Sequence, residues 1–130
     1  MKKFELVLRL IAAGILFQTL YFKFSAAPES VYIFTQLHVE PWGRWIAGLS
    51  ELVAVILILV PGWQVFGALA AAGIMGGAIL SHLFVLGIQV EGDGGLLFTL
   101  AVVVLLSATG IIILNREKLM HLMKEKLGVG

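Results

Sequence analysis

Residues 45–60 read WIAGLSELVAVILILV. The run is long and apolar enough to predict a membrane-spanning helix, which needs about 20 mostly apolar residues. It carries a single acid, Glu51. A carboxylate at membrane depth costs several kcal/mol, about 2.5–3.5 even on the milder insertion scales, so such a residue is expected to face a partner or a polar cavity. Glu51 shares helical spacing with Ala47 and Ala54, which places it on a small-residue face suited to close packing. Leu49, Val53, Ile56 and Val60 are left for the lipid.

Outward from this run, the rest of the chain follows the same pattern. Of 130 residues, 60% are hydrophobic and only 13% charged, too little polar surface for a soluble domain of this size. The apolar residues fall in blocks at 6–24, 44–60, 64–87 and 95–114. Together they predict an all-α fold: one domain built as a four-transmembrane-helix bundle. The first block, with MKK before it and Ser25-Ala26-Ala27 after it, has the outline of a signal peptide. Its length, its interruptions at Arg9, Gln18 and Lys23, and Pro28 just beyond favour a retained span. Between the first two spans, Pro28 and Glu29 mark a helix start. Val31, Phe34, Leu37 and Val39 predict a short interfacial helix ended by Pro41, with Trp42 and Trp45 at the membrane boundary. In the third span, Gly73-x-x-x-Gly77 predicts close helix packing. After the fourth span, REKLMHLMKEKL at 116–127 predicts an amphipathic tail, with Leu119, Leu122, Met123 and Leu127 on one face and Lys118, Lys124 and Lys126 towards anionic headgroups.

Four spans put both termini on one side, together with Lys2, Lys3, Arg9, Arg116, Lys118, Lys124 and Lys126. The other side holds Lys23 and Arg44 with Glu29, Glu40, Glu91 and Asp93. The positive-inside rule then predicts an inner-membrane protein with both termini cytoplasmic. Threading the spans brings Lys23, Glu51 and His82 to one layer near the outer face, with Glu51 about 9 Å below the start of its helix at 1.5 Å per residue. Gln18 and Ser81 fall close to the same layer, and Glu91 and Asp93 are placed to roof it. No comparable cluster is expected in the inner half.

Paired with Lys23, Glu51 would stay ionised; beside His82 it would orient the imidazole or exchange a proton with it. A quinone head group suits such a layer, because it needs donors for its carbonyls, a proton route and lipid access for its tail. The structural alternative has Lys23 snorkelling, His82 capping a helix end and Glu51 serving as polar glue between helices. The sequence holds no cysteine, which excludes disulfides, thiol redox chemistry and Cys-ligated metals. No metal site is predicted, since Glu51, His82 and His38 or Asp93 lack helical ligand spacing. No Walker loop, dinucleotide fingerprint or nucleophile elbow occurs, and nothing points to nucleic acid.

At this point the chain resembles the DoxX family of small four-helix membrane proteins. The matching pieces are Leu16-Phe17…Lys23-Phe24, the run Pro41…Gly48-x-x-Glu51-Leu52, and the small-residue third span ending in His82. They cover roughly residues 6–114. The chain departs from the family pattern at Leu20 and Val55, where glycines are usual. The resemblance implies an accessory subunit or membrane anchor of a redox system rather than a self-sufficient enzyme, with Lys23 and Glu51 carried over and His82 less directly so. The partners expected are the bilayer and a membrane or peripheral redox protein, and an oligomer is compatible with both. Two other function classes stay open: a non-catalytic membrane interaction or assembly protein, and a small proton-coupled transporter using Glu51.

Overall fold

The computed structural model describes residues 2–90 and 92–127. Glu91, expected to help roof the polar layer, and the side chains of Lys126 and Leu127, expected on the two faces of the tail, lie outside the described residues. The described chain is all helical: α1 Lys2–Phe24, α2 Pro28–Gln36, α3 Trp42–Leu59, α4 Gln64–Ser81, α5 Leu96–Leu114 and α6 Arg116–Leu127. A π-helical turn, His82–Leu86, continues α4. The first helix starts at Lys2 rather than at residue 6, because nothing in KKFEL breaks a helix and Glu5 finds partners at that end of the bundle, described below.

Four helices are long and apolar enough to cross a membrane: α1, α3, α4 with its π turn, and α5. The chain is a multi-pass membrane protein. The helices pack in a ring, α1 on α3, α3 on α4, α4 on α5 and α5 on α1. Contacts along the seams fix the directions. Arg9 reaches Ile58 while Lys23 reaches Glu51, so α1 and α3 are antiparallel. Gln64 lies by Asn115 while His82 lies by Phe98, so α4 and α5 are antiparallel too. Glu5 bonds Asn115, which closes the ring and puts the starts of α1 and α4 with the ends of α3 and α5.

The core runs down the middle as small and branched residues, among them Ala12, Leu16, Ala54, Ile58, Ala68, Val104 and Ile111. Small side chains let the backbones approach, which is how helices gain packing energy where lipid is as apolar as Leu. Leu49, Val53, Ile56 and Val60 are exposed as expected, while Glu51 and Ala54 are buried. The close α3–α4 approach occurs at Gly67, not at Gly73 and Gly77. A Cβ on Gly67 would sit 2.5 Å from the Ile58 nitrogen and 2.9 Å from the Ala54 oxygen. A Cβ on Gly73 or Gly77 would meet nothing within 4 Å, so the expected packing role for that pair is not realised within the bundle.

Candidate functional site

Glu51 is fully buried and is held from α1 by two groups. The Lys23 ammonium lies 2.9 Å from Oε1. The Thr19 hydroxyl lies 2.9 Å from Oε2 and 2.9 Å from the Leu16 carbonyl, so its one proton serves two acceptors. Thr19 stands four residues before Lys23, one turn along the same helix face. Gln18, the expected polar neighbour, points elsewhere: it is exposed and does not line the cavity. The helical period alone separates the two, since residue 18 lies about 100° further round from 19.

His82 is also buried, packed edge-on against Phe98 with ring centroids 5.6 Å apart. Its Nδ1 lies 3.0 Å from the Gly87 carbonyl. A carbonyl only accepts, so Nδ1 carries the proton of this bond. The Gly87 N–H in turn donates to the His82 carbonyl, the i to i+5 bond that makes the turn π-helical. Nε2 has no protein partner among the described residues. His82 and Glu51 share a cavity but no hydrogen bond, so the expected direct Glu51–imidazole contact is absent.

The cavity has a volume of about 320 Å³, at the small end of ligand pockets, which run from about 300 to 1,000 Å³. Its polar wall is Thr19, Lys23, Ser30, Glu51, Ser81 and His82. Ser81 faces it, although its hydroxyl donates to the Gly77 carbonyl at 2.9 Å. The remaining wall is apolar, with Leu16, Ala47, Ile74, Met75, Leu97 and Leu100. The roof is α2, through Ser30, Ile33, Phe34 and Leu37. The short helix expected between the first two spans therefore also covers the polar layer.

Asp93 takes no part in the roof. Its Oδ1 accepts from the N–H groups of Val90 and Gly95, at 3.1 and 2.8 Å, and its Oδ2 from Leu97 at 3.1 Å. Partial burial opposes ionisation, but these bonds, with one from Leu96, outweigh it and hold the carboxyl below its ordinary range. The residue caps the start of α5, and Gly92, Gly94 and Gly95 with positive φ bend the loop around it.

The sequence gives little warning of a second ion pair beside the first. Arg44 is buried, its Nε 2.6 and 3.0 Å from the two oxygens of Glu40. Its Nη1 donates to the Lys23 carbonyl. The guanidinium thereby ties the end of α1 and the connection between α2 and α3 to the start of α3. The i, i+4 spacing of Glu40 and Arg44 is the signal for it, although the pair straddles Pro41.

The opposite end of the bundle, where no comparable cluster is expected, holds polar groups too. Glu5 Oε1 accepts from Gln64 Nε2 at 3.0 Å and from Asn115 Nδ2 at 3.1 Å. Arg9 donates to the Ile58 and Leu59 carbonyls at 2.7 and 3.0 Å, satisfying the open end of α3. Among the described residues, no three His, Asp or Glu side chains come together to hold a metal ion. No family model, curated protein or solved structure matches the chain.

Proposed function

We propose that the cavity beneath α2 receives the polar head of a neutral, lipid-soluble molecule, with a quinone as the best-fitting class, and that the protein serves a redox system as an accessory membrane subunit. The observation that carries this is the balance of the polar wall. Lys23 and Glu51 cancel in charge, so neither a cation nor an anion is favoured. Each keeps spare capacity: the ammonium has three donors and the carboxylate about four acceptor positions, and only part of each is used within the protein. His82 Nε2 adds an acceptor when neutral and a donor when protonated. A quinone carbonyl needs the donors and a quinol hydroxyl needs the acceptors, so one wall suits both forms. Apolar walls and few convergent polar groups are the usual anatomy of a small-molecule site. The resemblance to DoxX proteins belongs to the same proposal, as does the inner-membrane orientation with cytoplasmic termini.

The test is binding of the tail-free probe 2,3-dimethoxy-5-methyl-1,4-benzoquinone to the protein in lipid nanodiscs. Glu51→Gln and His82→Leu should each weaken it at least tenfold while helicity is retained, with some loss of thermal midpoint in Glu51→Gln, which leaves the Lys23 ammonium without its carboxylate. Because Lys23–Glu51 also stitches α1 to α3, a packing role has support of its own. Unchanged binding in Glu51→Gln would leave only that role. Orientation is read separately: the chain has no cysteine, so Lys3→Cys should resist an external maleimide and His38→Cys should react.

A further inference from the structure

The cavity is closed above by α2 and below by Leu16, Met75 and Ala101. Ala47 and Glu51 of α3 and Ile74, Gly77, Ala78 and Ser81 of α4 form one side of it. There Ile74 lines both the cavity and a second, open groove on the outer surface of the bundle, formed by Ser50, Val53, Leu69, Ala70, Gly73 and Ile74. The α3–α4 seam changes character along its length. At Gly67 it is shut, with no room for a single added carbon. At Gly73 and Gly77, one and a half to three turns further out, a Cβ would meet nothing within 4 Å.

We infer that the cavity's ligand carries a long apolar chain, which leaves sideways past Ile74 between α3 and α4 and lies in the groove over Gly73. The inference rests on the proposed head-group site and adds the tail's route and the ligand's shape. The groove is apolar and faces the bilayer: Val53 and Leu69 are 48% and 43% exposed. Its one hydroxyl, Ser50, donates to its own helix at the Ile46 carbonyl, so it orients nothing polar. At the cavity end, His82 lines the space where a head group would sit, and its Nε2 has no hydrogen-bond partner among the described residues. The directions agree as well. Gly77 borders the cavity and Gly73 the groove, so the path runs one turn from the polar layer towards the middle of the bundle, as a chain anchored by its head near one face would lie. An occupant continuous with the cavity is a chain of one molecule rather than a second copy of the protein.

The probe is the same dimethoxybenzoquinone head on a decyl chain with a mid-chain diazirine, photolysed with the protein in nanodiscs and mapped by mass spectrometry. Crosslinks should concentrate on Val53, Leu69, Ala70 and Ile74. They should fall at least tenfold in Gly73→Leu, whose side chain has room to fill the groove without disturbing the bundle, while the tail-free quinone binds that variant within twofold of wild type. Labelling spread evenly over all lipid-facing helices, or unchanged in Gly73→Leu, would overturn the route. A groove occupied by another copy would also overturn it: Gly73→Leu would then convert dimer to monomer in native mass spectrometry. A decyl alcohol with the same diazirine separates the two readings. If it labels the groove and excess tail-free quinone does not compete, the chain route stands and the quinone head does not.

Discussion

The two ends of the bundle use polar groups for different purposes. At the end that holds the start of α1, Arg9 caps the α3 carbonyls and Glu5 is bonded by Gln64 and Asn115, so each group is occupied by a fixed neighbour. At the opposite end, Lys23, Glu51 and His82 border a cavity and keep unused capacity. The α3–α4 seam follows the same division, shut at Gly67 and open at Gly73 and Gly77. One end is built as a lock and the other as a receptacle. Polarity in a membrane helix is therefore not a sufficient sign of function; what matters is whether the polar group has anything left to offer.

The contrast can be strained most at Lys23. Lys23→Met leaves a fully buried carboxylate without its cation, which should cost about 3–5 kcal/mol of stability in detergent unfolding. Adding Glu51→Leu should recover most of it, and a double variant as weak as the single would mean the pair is not coupled. Next comes the seam. Gly67→Val drives a side chain into the α3 backbone and should cost about 3 kcal/mol, at the upper end of overpacking. Gly73→Val should change stability by no more than about 0.5 kcal/mol, as for a surface position. Equal losses at both glycines would erase the distinction between shut and open halves. Arg9→Met removes two charge-assisted bonds to carbonyls and should cost about 1.5 kcal/mol, with ligand binding untouched.

The smallest effect lies outside the spans. The folded state holds the Asp93 carboxyl below its ordinary value of 3.8, so its contribution is complete above that value and is lost as pH falls below it, towards the folded value. Asp93→Asn should lower stability modestly at neutral pH, where the ionised carboxyl contributes in full, and flatten the acid limb of a stability–pH curve below 3.8, so that the two curves converge in acid.

The spans were legible because a helix in lipid must be apolar over a fixed length, and residues 45–60 state that without ambiguity. Depth was legible too, since alternating spans bring Lys23, Glu51 and His82 to one level. What one dimension hides is azimuth and reach. Position along the helix places Gln18 near the layer, whereas the helical phase relative to Lys23 selects Thr19. The α2 roof and the Arg44 tie depend on how a connection folds back, which no period encodes. Gly73 and Gly77 follow a packing pattern, yet no neighbouring helix comes close to them, and only the seam geometry separates them from Gly67.

The π turn after α4 has a consequence of another kind. It is in effect one residue more than an α-helix of the same rise would hold, and that surplus lets Gly87 meet both the His82 carbonyl and its Nδ1. The aim of the imidazole is thus written in chain length as well as in residue identity. A single-residue deletion between Leu83 and Leu86 would redirect His82 while keeping every cavity side chain upstream of it. The aim of this histidine is accordingly open to change by a one-residue insertion or deletion, with no substitution at the histidine itself.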